Sequence, residues 1–292
     1  MANRRVLVKR RKAVRNIRKI TRTMQLIATA RFQAAFNRAM ATRPYTEKLA
    51  ELVADLSRAA GDVDHPLLKT HDEVPRSALV VLTSDRGLAG GYNASVLRAA
   101  LAHLEQQGAQ GITADVHMVG KKGIAYFRFL RREVGEQTSG IGDRPRFEQV
   151  EPIANALMDR FVRGEIASAH VAYMKFLSAG QQRPVVVQLL PLKPEAQEAG
   201  DGAGAPPVEY EFSPDPQQLL DELLPATVRV RLFQAFNDAA VSEQVARMVA
   251  MKAATDAAGD MIKALTREYN RARQTQITME LLDIVGGANA LS

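Results

Sequence analysis

The sequence predicts a long antiparallel coiled coil, made by the two ends of the chain, with a small α/β (Rossmann-like) domain inserted between them. Residues 6–60 contain one proline and no glycine, and residues 226–285 contain no proline and one glycine. A helix of ~60 residues is ~90 Å long and needs a partner helix along its length, because isolated helices are marginal in water. Between these stretches, short apolar runs alternate with helical patterns, which is typical of a parallel sheet with covering helices.

The first helix is predicted to fill an N-terminal segment of residues 1–62. Four apolar residues recur at three-four-three spacing and predict the coiled-coil seam of this helix; they are Ile17, Ile20, Met24 and Ile27. Pro44 is expected to kink or interrupt the helix, because proline lacks an amide donor and clashes with the preceding turn. Residues 61–66 carry glycine and proline and are expected to end it.

The inserted α/β domain is predicted at residues 75–192. The first strand, SALVVLTS, is a short β-branched apolar run of the kind that is buried in a sheet. The chain then alternates between strands and helices and predicts a mainly parallel sheet. Strands are predicted at 77–84, 112–119, 167–176 and 183–190, helices at 92–107, 121–132 and 150–162, and a loop at 133–147.

A linker and a second long helix complete the chain. Residues 193–209 are rich in Pro, Gly, Ala and Glu and are predicted to form a linker or surface loop. The C-terminal coiled-coil segment is predicted at residues 210–292, with continuous helix after Pro225. Its seam follows three-four spacing through Met251, Ala258, Ile262, Leu265, Tyr269 and Ala272.

The charge of the chain is concentrated at its N-terminus. The formal net charge is +7, and residues 1–46 hold thirteen Lys and Arg and no acidic residue. Such a block requires an anionic partner, which leaves nucleic acid, a membrane surface or acidic protein loops. Aromatic side chains for base stacking are missing from residues 1–31. A charged face on a coiled coil is therefore favoured, and nucleic-acid binding through residues 1–43 is the alternative.

No catalytic, cofactor or metal site is predicted. The chain has no Cys, and its five His residues lack the spacing of metal ligands. The turn DRGLAGG at residues 85–91 follows a strand and precedes a helix, where phosphates bind in other proteins. It lacks the pattern of a P-loop or a dinucleotide fingerprint. A tight turn is favoured over a nucleotide-binding enzyme, which is the third possibility.

The C-terminal end of the chain is unusually apolar. Its sequence, ITMELLDIVGGANAL at residues 277–291, carries large apolar residues where polar, frayed ends are normal. An apolar tip on a long helix is expected to enter a hydrophobic socket or to pack on its partner helix. The residues of this tip are Leu281, Leu282, Ile284 and Val285.

Three segments resemble the gamma subunit of F-type ATP synthases. VRNIRKITRTMQLIATARF at residues 14–32 is similar to the N-terminal signature of that family. Residues 242–291 resemble its C-terminal signature almost throughout, and SDRGLAGGYN at residues 84–93 resembles the signature of its inserted domain. The resemblance therefore covers both ends of the chain and the domain between them.

This resemblance implies a non-catalytic, rotating central-stalk subunit that couples proton flow to ATP synthesis or hydrolysis and regulates both. It implies one copy per complex, with alpha, beta and epsilon subunits and the c-ring as partners, and no nucleic acid. An acidic loop of beta is expected to meet Arg273 and Gln274, with Thr278 just beyond and Met24 at another approach of shaft and beta. The expected place is the cytoplasmic face of the inner membrane, with membrane association through the complex only, because no stretch reaches the ~18–20 apolar residues of a membrane span.

Overall fold

The computed structural model describes residues 4–60, 65–71, 73–192 and 216–290. The chain forms two compact units, one of Met1–Ala30 with Arg247–Ser292 and the other of Arg31–Ala246. Two long helices contribute to both units: α1 spans Arg4–Ala60 and α5 spans Pro216–Ala290. The linker predicted at 193–209 lies outside the described residues, as do residues 61–64 of the predicted break.

Helix α1 runs without a break through Pro44, so the predicted interruption there is wrong. A proline removes one backbone donor, and the neighbouring turns keep the helix in place through packing. Leu49 and Leu56, beyond the proline, are 4% and 1% exposed. Tertiary burial of this face outweighs the local cost of Pro44.

In the unit that contains both chain ends, α1 and α5 pack antiparallel. The Thr255 hydroxyl donates to the Thr21 hydroxyl over 2.8 Å, and the Arg11 guanidinium lies 4.9 Å from the centre of the Tyr269 ring. The predicted seam of α5 is confirmed, with Met251, Ala258 and Leu265 buried at 4%, 6% and 9% exposure. The remaining predicted seam positions are half-buried; they are Ile262, Tyr269 and Ala272.

The seam predicted for α1 is wrong at three of its four positions, and Met24 alone of the four is half-buried. Ile17, Ile20 and Ile27 are 51%, 59% and 48% exposed. The buried positions follow a heptad on an adjacent face, and Leu7 and Ala28 are 3% and 0% exposed. That seam uses small and polar residues, which hydrophobicity alone does not reveal; its members include Leu7, Val14, Thr21, Ala28 and Ala35.

In the other unit, the same two helices pack on a five-stranded sheet. The strands are β1 Arg76–Leu82, β2 Thr113–Val119, β3 Glu136–Thr138, β4 Ser168–Ser178 and β5 Gln181–Leu190. The sheet order is β3-β2-β1-β4-β5, in which β5 alone among the described strands is antiparallel to its neighbour. The connecting helices are α2 Tyr92–Ala109, α3 Lys121–Phe129 and α4 Phe147–Val162, and a short 3-10 helix spans Pro66–Leu68.

Successive residues of β1 point to opposite faces of the sheet, and both faces are buried. Ala78, Val80 and Leu82 belong to a core shared with α4 and the first half of α5. Leu79 and Val81 belong to a second core under α2 and α3. The continuous apolar run in the sequence therefore predicted a fully buried central strand correctly.

Several element boundaries differ from the prediction, and two of the differences concern whole segments. The loop predicted at 133–147 contains the edge strand β3, whose polar residues Glu136, Gln137 and Thr138 give no strand pattern and are held by pairing with β2. Helix α5 begins at Pro216, before Pro225, because Leu220 and Leu224 are buried against the sheet core. In both places tertiary contacts override the local signal.

Candidate functional site

The exposed face of α1 carries a second apolar stripe, beside the buried seam. Its members are Ile17, Ile20, Leu26 and Ile27, each 48–59% exposed. Exposed cations flank the stripe, and Arg15 and Lys19 form no ion pair with any described residue. The packing of α1 on α5 leaves this surface exposed, so the stripe indicates contact with another molecule.

The carboxyl-terminal tip of α5 is a second exposed apolar surface. Leu281, Leu282, Ile284 and Val285 are 57%, 65%, 69% and 55% exposed. They span an arc of about 160° on one side of a regular helix, and none is buried against another part of the described chain. The structure therefore does not show the packing of the tip on α1, and a socket outside this chain would be needed to cover all four.

Three of the expected contact residues lie together on α5. Arg273, Gln274 and Thr278 are exposed, and the Thr278 hydroxyl donates to the Gln274 carbonyl over 3.0 Å. Arg273 forms no ion pair with the described residues, which leaves its charge open to an acidic partner. Such exposed charge contacts contribute ~0–1 kcal/mol, which suits a contact that forms and breaks.

Met24 lies apart from this group. It is half-buried on α1, near the level where Thr21 meets Thr255. About 27 Å of helix separates Thr255 from Arg273. The four predicted residues thus form two separate sites rather than one.

The glycine-rich turn at residues 85–91 does not form a phosphate cradle. The Asp85 carboxylate accepts hydrogen bonds from the backbone amides of Lys121 at 3.0 Å and Gly140 at 2.9 Å. Lys121 is the first residue of α3, so this carboxylate occupies the place where a helix N-terminus would bind an anion. The adjacent cavity measures about 40 Å³ and is lined by the acidic Glu243. Its size and charge do not fit a nucleotide, and the tight-turn interpretation is the one that the geometry supports.

The loop between β3 and α4 holds both long helices, a role that no sequence pattern predicted. The Asp143 carboxylate forms an ion pair with Arg31 of α1 and accepts a hydrogen bond from Gln244 of α5 at 2.8 Å. The Asp143 carbonyl accepts a further hydrogen bond from Arg38 at 3.0 Å. The α/β domain is thereby attached to α1 and α5 within its unit.

Two buried ionisable groups, Asp238 and Tyr173, have raised pKa values. Burial raises the pKa of Asp238 to about 6, and burial followed by the nearby Asp238 charge raises the pKa of Tyr173. His103 and His170 stack with ring centres 4.6 Å apart, and burial lowers the pKa of His103. The described residues contain no group of three or more His, Asp or Glu that could hold a metal ion.

Comparison with known proteins decides the family. The family model described as ATP synthase matches residues 3–291. The ATP synthase gamma chain of Rhodopirellula baltica is 46% identical over 294 residues, covering 100% of this chain and 99% of the relative. This chain belongs to the ATP synthase gamma-chain family. The gamma chain of Leptospira biflexa is 39% identical, with 100% of both chains covered.

Solved structures with the gamma-chain fold agree with the architecture described above. A chain of the Euglena gracilis mitochondrial ATP synthase, solved as OSCP/F1/c-ring, has a TM-score of 0.68 at 18% identity and covers 99% of this chain. The match covers 94% of the Euglena chain. A chain from the central stalk and c-ring of Tetrahymena thermophila has a TM-score of 0.57 at 18% identity, with 80% of this chain and 99% of that chain covered. Gamma chains are non-catalytic subunits, and the fold of paired long helices with an inserted α/β domain is common to these structures.

No described helix of this gamma chain combines the length and the apolar character that crossing a bilayer requires.

Proposed function

We propose that this chain is the rotating central stalk of an F-type ATP synthase and that it couples proton flow to ATP synthesis and hydrolysis in an alpha-beta head. The observation that carries the proposal is an apolar tip that no described part of the chain covers, on a helix of 75 residues. Membership of the gamma-chain family supports it. In this proposal a single copy of the chain occupies each complex, and its turning regulates both ATPase activity and proton flow.

The paired helices supply the stiffness that torque transmission requires. The seam is continuous through the Thr21–Thr255 hydrogen bond and the Arg11–Tyr269 contact. Because α1 and α5 differ in sequence, the surface of the pair is not symmetric. A shaft of this kind presents a different face to each beta subunit at a given angle and favours a different conformation in each. Rotation then becomes a cycle of nucleotide affinities.

We assign the contacts with beta to two places on this shaft. Arg273 and Gln274 meet an acidic loop of beta, with Thr278 just beyond, and Met24 marks a separate approach on α1. The exposed stripe beside Met24 adds apolar area at that second place. The tip formed by Leu281, Leu282, Ile284 and Val285 turns in a hydrophobic sleeve of the head.

The remaining partners are assigned to the α/β domain. The α/β domain, assigned to residues 75–192 between helical segments 1–62 and 210–292 with a linker at 193–209, lies beside an epsilon subunit and on the c-ring. The complex is peripheral on the cytoplasmic face of the inner membrane. No catalytic residue or cofactor is assigned to this chain, and the nucleotide sites belong to the head.

Nucleic-acid binding through residues 1–43 is the alternative function. Ten of the thirteen cations of that segment are exposed, and the apolar stripe runs among them; Arg11, Arg38 and Arg43 are half-buried. Phosphate binding alone would leave this stripe uncovered. Acidic and apolar surfaces of the head account for both features together.

Co-purification tests the proposal. The tagged chain is expressed in its host, membranes are extracted with mild detergent, and the captured material is assayed for subunit composition and ATPase activity. We expect alpha and beta subunits in fixed proportion with activity. Recovery of the chain alone, or with nucleic acid that survives high salt, would contradict the proposal.

A matched pair of variants tests the role of the tip. Leu282→Ser with Ile284→Ser removes apolar contact at the tip, and Val162→Ser with Leu177→Ser removes residues of similar exposure, 51% and 45%, from the α/β domain. The tip variant should reduce ATP-driven proton pumping per ATP hydrolysed in vesicles, and the control variant should not. Equal effects would show that the tip has no special contact with the head.

A further inference from the structure

Helix α3 and the turn after it form a strongly basic surface with an exposed aromatic centre. The apolar members are Tyr126, Phe129 and Leu130, which are 39%, 80% and 37% exposed. The cations around them are all exposed; they are Lys121, Lys122, Arg128, Arg131 and Arg132. We call these eight residues the α3 patch. A phenylalanine left four-fifths exposed beside five cations is not explained by the packing of the domain.

The described residues do not neutralise the charge of the α3 patch. Between residues 121 and 133 the only acidic residue is Glu133. Arg128, Arg131 and Arg132 form no ion pair with any residue that the structure describes. The patch therefore presents net positive charge to its surroundings.

The exposed side chains are held in place by a fixed backbone. Phe127 is 0% exposed and anchors α3 in the core between helix and sheet. Gly123 lets the helix approach the sheet, since a Cβ there would lie 2.3 Å from the Met118 sulfur. After the helix, Arg131 has a φ of 53° and the Arg132 amide donates to the Phe127 carbonyl over 3.1 Å. Phe129 thus projects from an ordered turn.

The patch lies toward one end of the sheet. Helix α3 starts at the carboxyl end of β2 and runs back toward the amino ends of the parallel strands. At those amino ends β5 finishes, because Leu190 pairs with Ala169 at the start of β4. Leu190 shares its core with Leu220 in the first turns of α5. The C-terminal part of the α3 patch therefore lies toward the end of the domain from which α5 begins, and Lys121 and Lys122 lie at the opposite end of α3.

We propose that the α3 patch contacts the anionic surface of the lipid bilayer, with Phe129 and Tyr126 in the headgroup region and the arginines near lipid phosphates. The inference rests on the proposed function, in which the α/β domain lies on the c-ring and so beside the membrane. The α3 patch thus gives the chain a direct contact with lipid, in addition to its membrane association through the other subunits of the complex.

Lipid fits this surface better than a protein partner does. Clusters of four to eight Lys and Arg on an amphipathic helix are suited to anionic lipid, and aromatic side chains prefer the interface of a bilayer. A stable protein interface needs ~800 Å² from each partner, and the α3 patch is one face of a nine-residue helix with the turn after it. A contact that slides as the stalk turns also suits a fluid, laterally uniform partner.

The absence of tryptophan from the chain permits a direct test. Phe129→Trp gives the full-length chain a single tryptophan in the α3 patch. The probes are vesicles of phosphatidylglycerol mixed with phosphatidylcholine, and vesicles of phosphatidylcholine alone. We expect the emission to move to shorter wavelength, and brominated acyl chains to quench it, only with the anionic vesicles. The basic N-terminus can hold the whole chain on such vesicles, but it does not bury residue 129.

Two controls separate this contact from general adsorption. Leu177→Trp places the reporter at a site of 45% exposure in the β4–β5 hairpin and should show no shift. Arg128→Gln, Arg131→Gln and Arg132→Gln together, in the Phe129→Trp chain, should raise the anionic lipid needed for half the shift by at least about tenfold, since each lost cation near the surface weakens binding.

Three results would overturn the proposal. They are no shift with anionic vesicles, an equal shift from Leu177→Trp, and a shift that appears only when other subunits are added, which would point to an acidic protein surface. The vesicle assay does not depend on assembly of the complex. Failure of the proposed function would instead appear as loss of co-purification with alpha and beta subunits, whatever the tryptophan reports.

Discussion

The buried carboxyl of Asp238 gives a quantitative prediction about stability. Asp238 lies on α5 with 3% of its surface exposed, and burial raises the pKa of this carboxyl from 3.8 to about 6. The Asp238 carboxyl therefore binds a proton more tightly in the folded state than in the unfolded state. Stability contributed by the neutral carboxyl is complete below pH ~4, falls as the pH rises toward 6, and is absent above that pH.

The size of this loss follows from the shift. Each unit of pKa corresponds to 1.36 kcal/mol, so the folded state loses ~3 kcal/mol between pH 4 and pH 7 as an upper limit. Asp238→Asn keeps the size of the side chain and an oxygen that can accept from the Gln234 amide, which now donates to Asp238 over 3.0 Å. The variant should be about as stable as the parent at pH 4.5 and ~1–3 kcal/mol more stable at pH 8.

Urea unfolding at the two pH values measures this difference. Asp260→Asn, at a position whose side chain is 78% exposed on the same helix, is the control and should show the same change in unfolding free energy at both pH values. If Asp238→Asn raised the unfolding free energy equally at pH 4.5 and pH 8, that result would refute the argument. It would show that the pKa of this carboxyl is the same in the folded and unfolded states.

Three further substitutions test the shaft and the sheet. Gly259→Ala should stabilise the chain by ~0.5–1 kcal/mol in thermal unfolding, because a Cβ there meets only Arg18 at an ordinary 3.8 Å and alanine favours the helix; a loss of stability would contradict this. Gly120→Ala should cost more than ~3 kcal/mol or prevent folding, since a Cβ would lie 2.1 Å from the Thr83 carbonyl oxygen at a φ of +97°. Met24→Lys should lower proton pumping per ATP in reconstituted vesicles by adding a cation that pairs with an acidic loop of beta, whereas Met24→Leu should not; unchanged pumping by the lysine variant would reject that contact.

The sequence was sufficient for the elements whose signals are long and repeated. Two glycine-poor stretches predicted the long helices, and the β-branched run of β1 predicted the buried central strand. The seam of α5 followed from its apolar spacing. These signals work because burial of one face over many residues leaves a periodic pattern.

The seam of α1 was mispredicted because this helix has two faces that need partners. The most apolar face, with Ile17 and Ile20, is exposed, and the face that packs on α5 carries Thr21 and Ala28. Helices that approach closely use small residues, so the stronger hydrophobic signal marked an exposed surface and not the seam. That error locates part of the candidate site.

Other features depend on contacts between distant parts of the chain. The Asp143 carboxylate joins Arg31 and Gln244, and the Asp85 carboxylate caps α3 and holds Gly140. Neither set of residues has a spacing that a single sequence could reveal. The polar edge strand β3 likewise exists only because β2 pairs with it.

Direct observation of rotation tests most decisively whether this chain is the rotor of the complex. The chain has no cysteine, so Gln106→Cys on the exposed side of α2 provides one attachment point for a bead or label. The complex of this variant with alpha and beta subunits is fixed to a surface through the head, and ATP is added. We expect the label to rotate in one direction with three pauses per turn, one for each beta subunit. A label that stays still while the same complexes hydrolyse ATP would contradict the claim that this chain is the rotor.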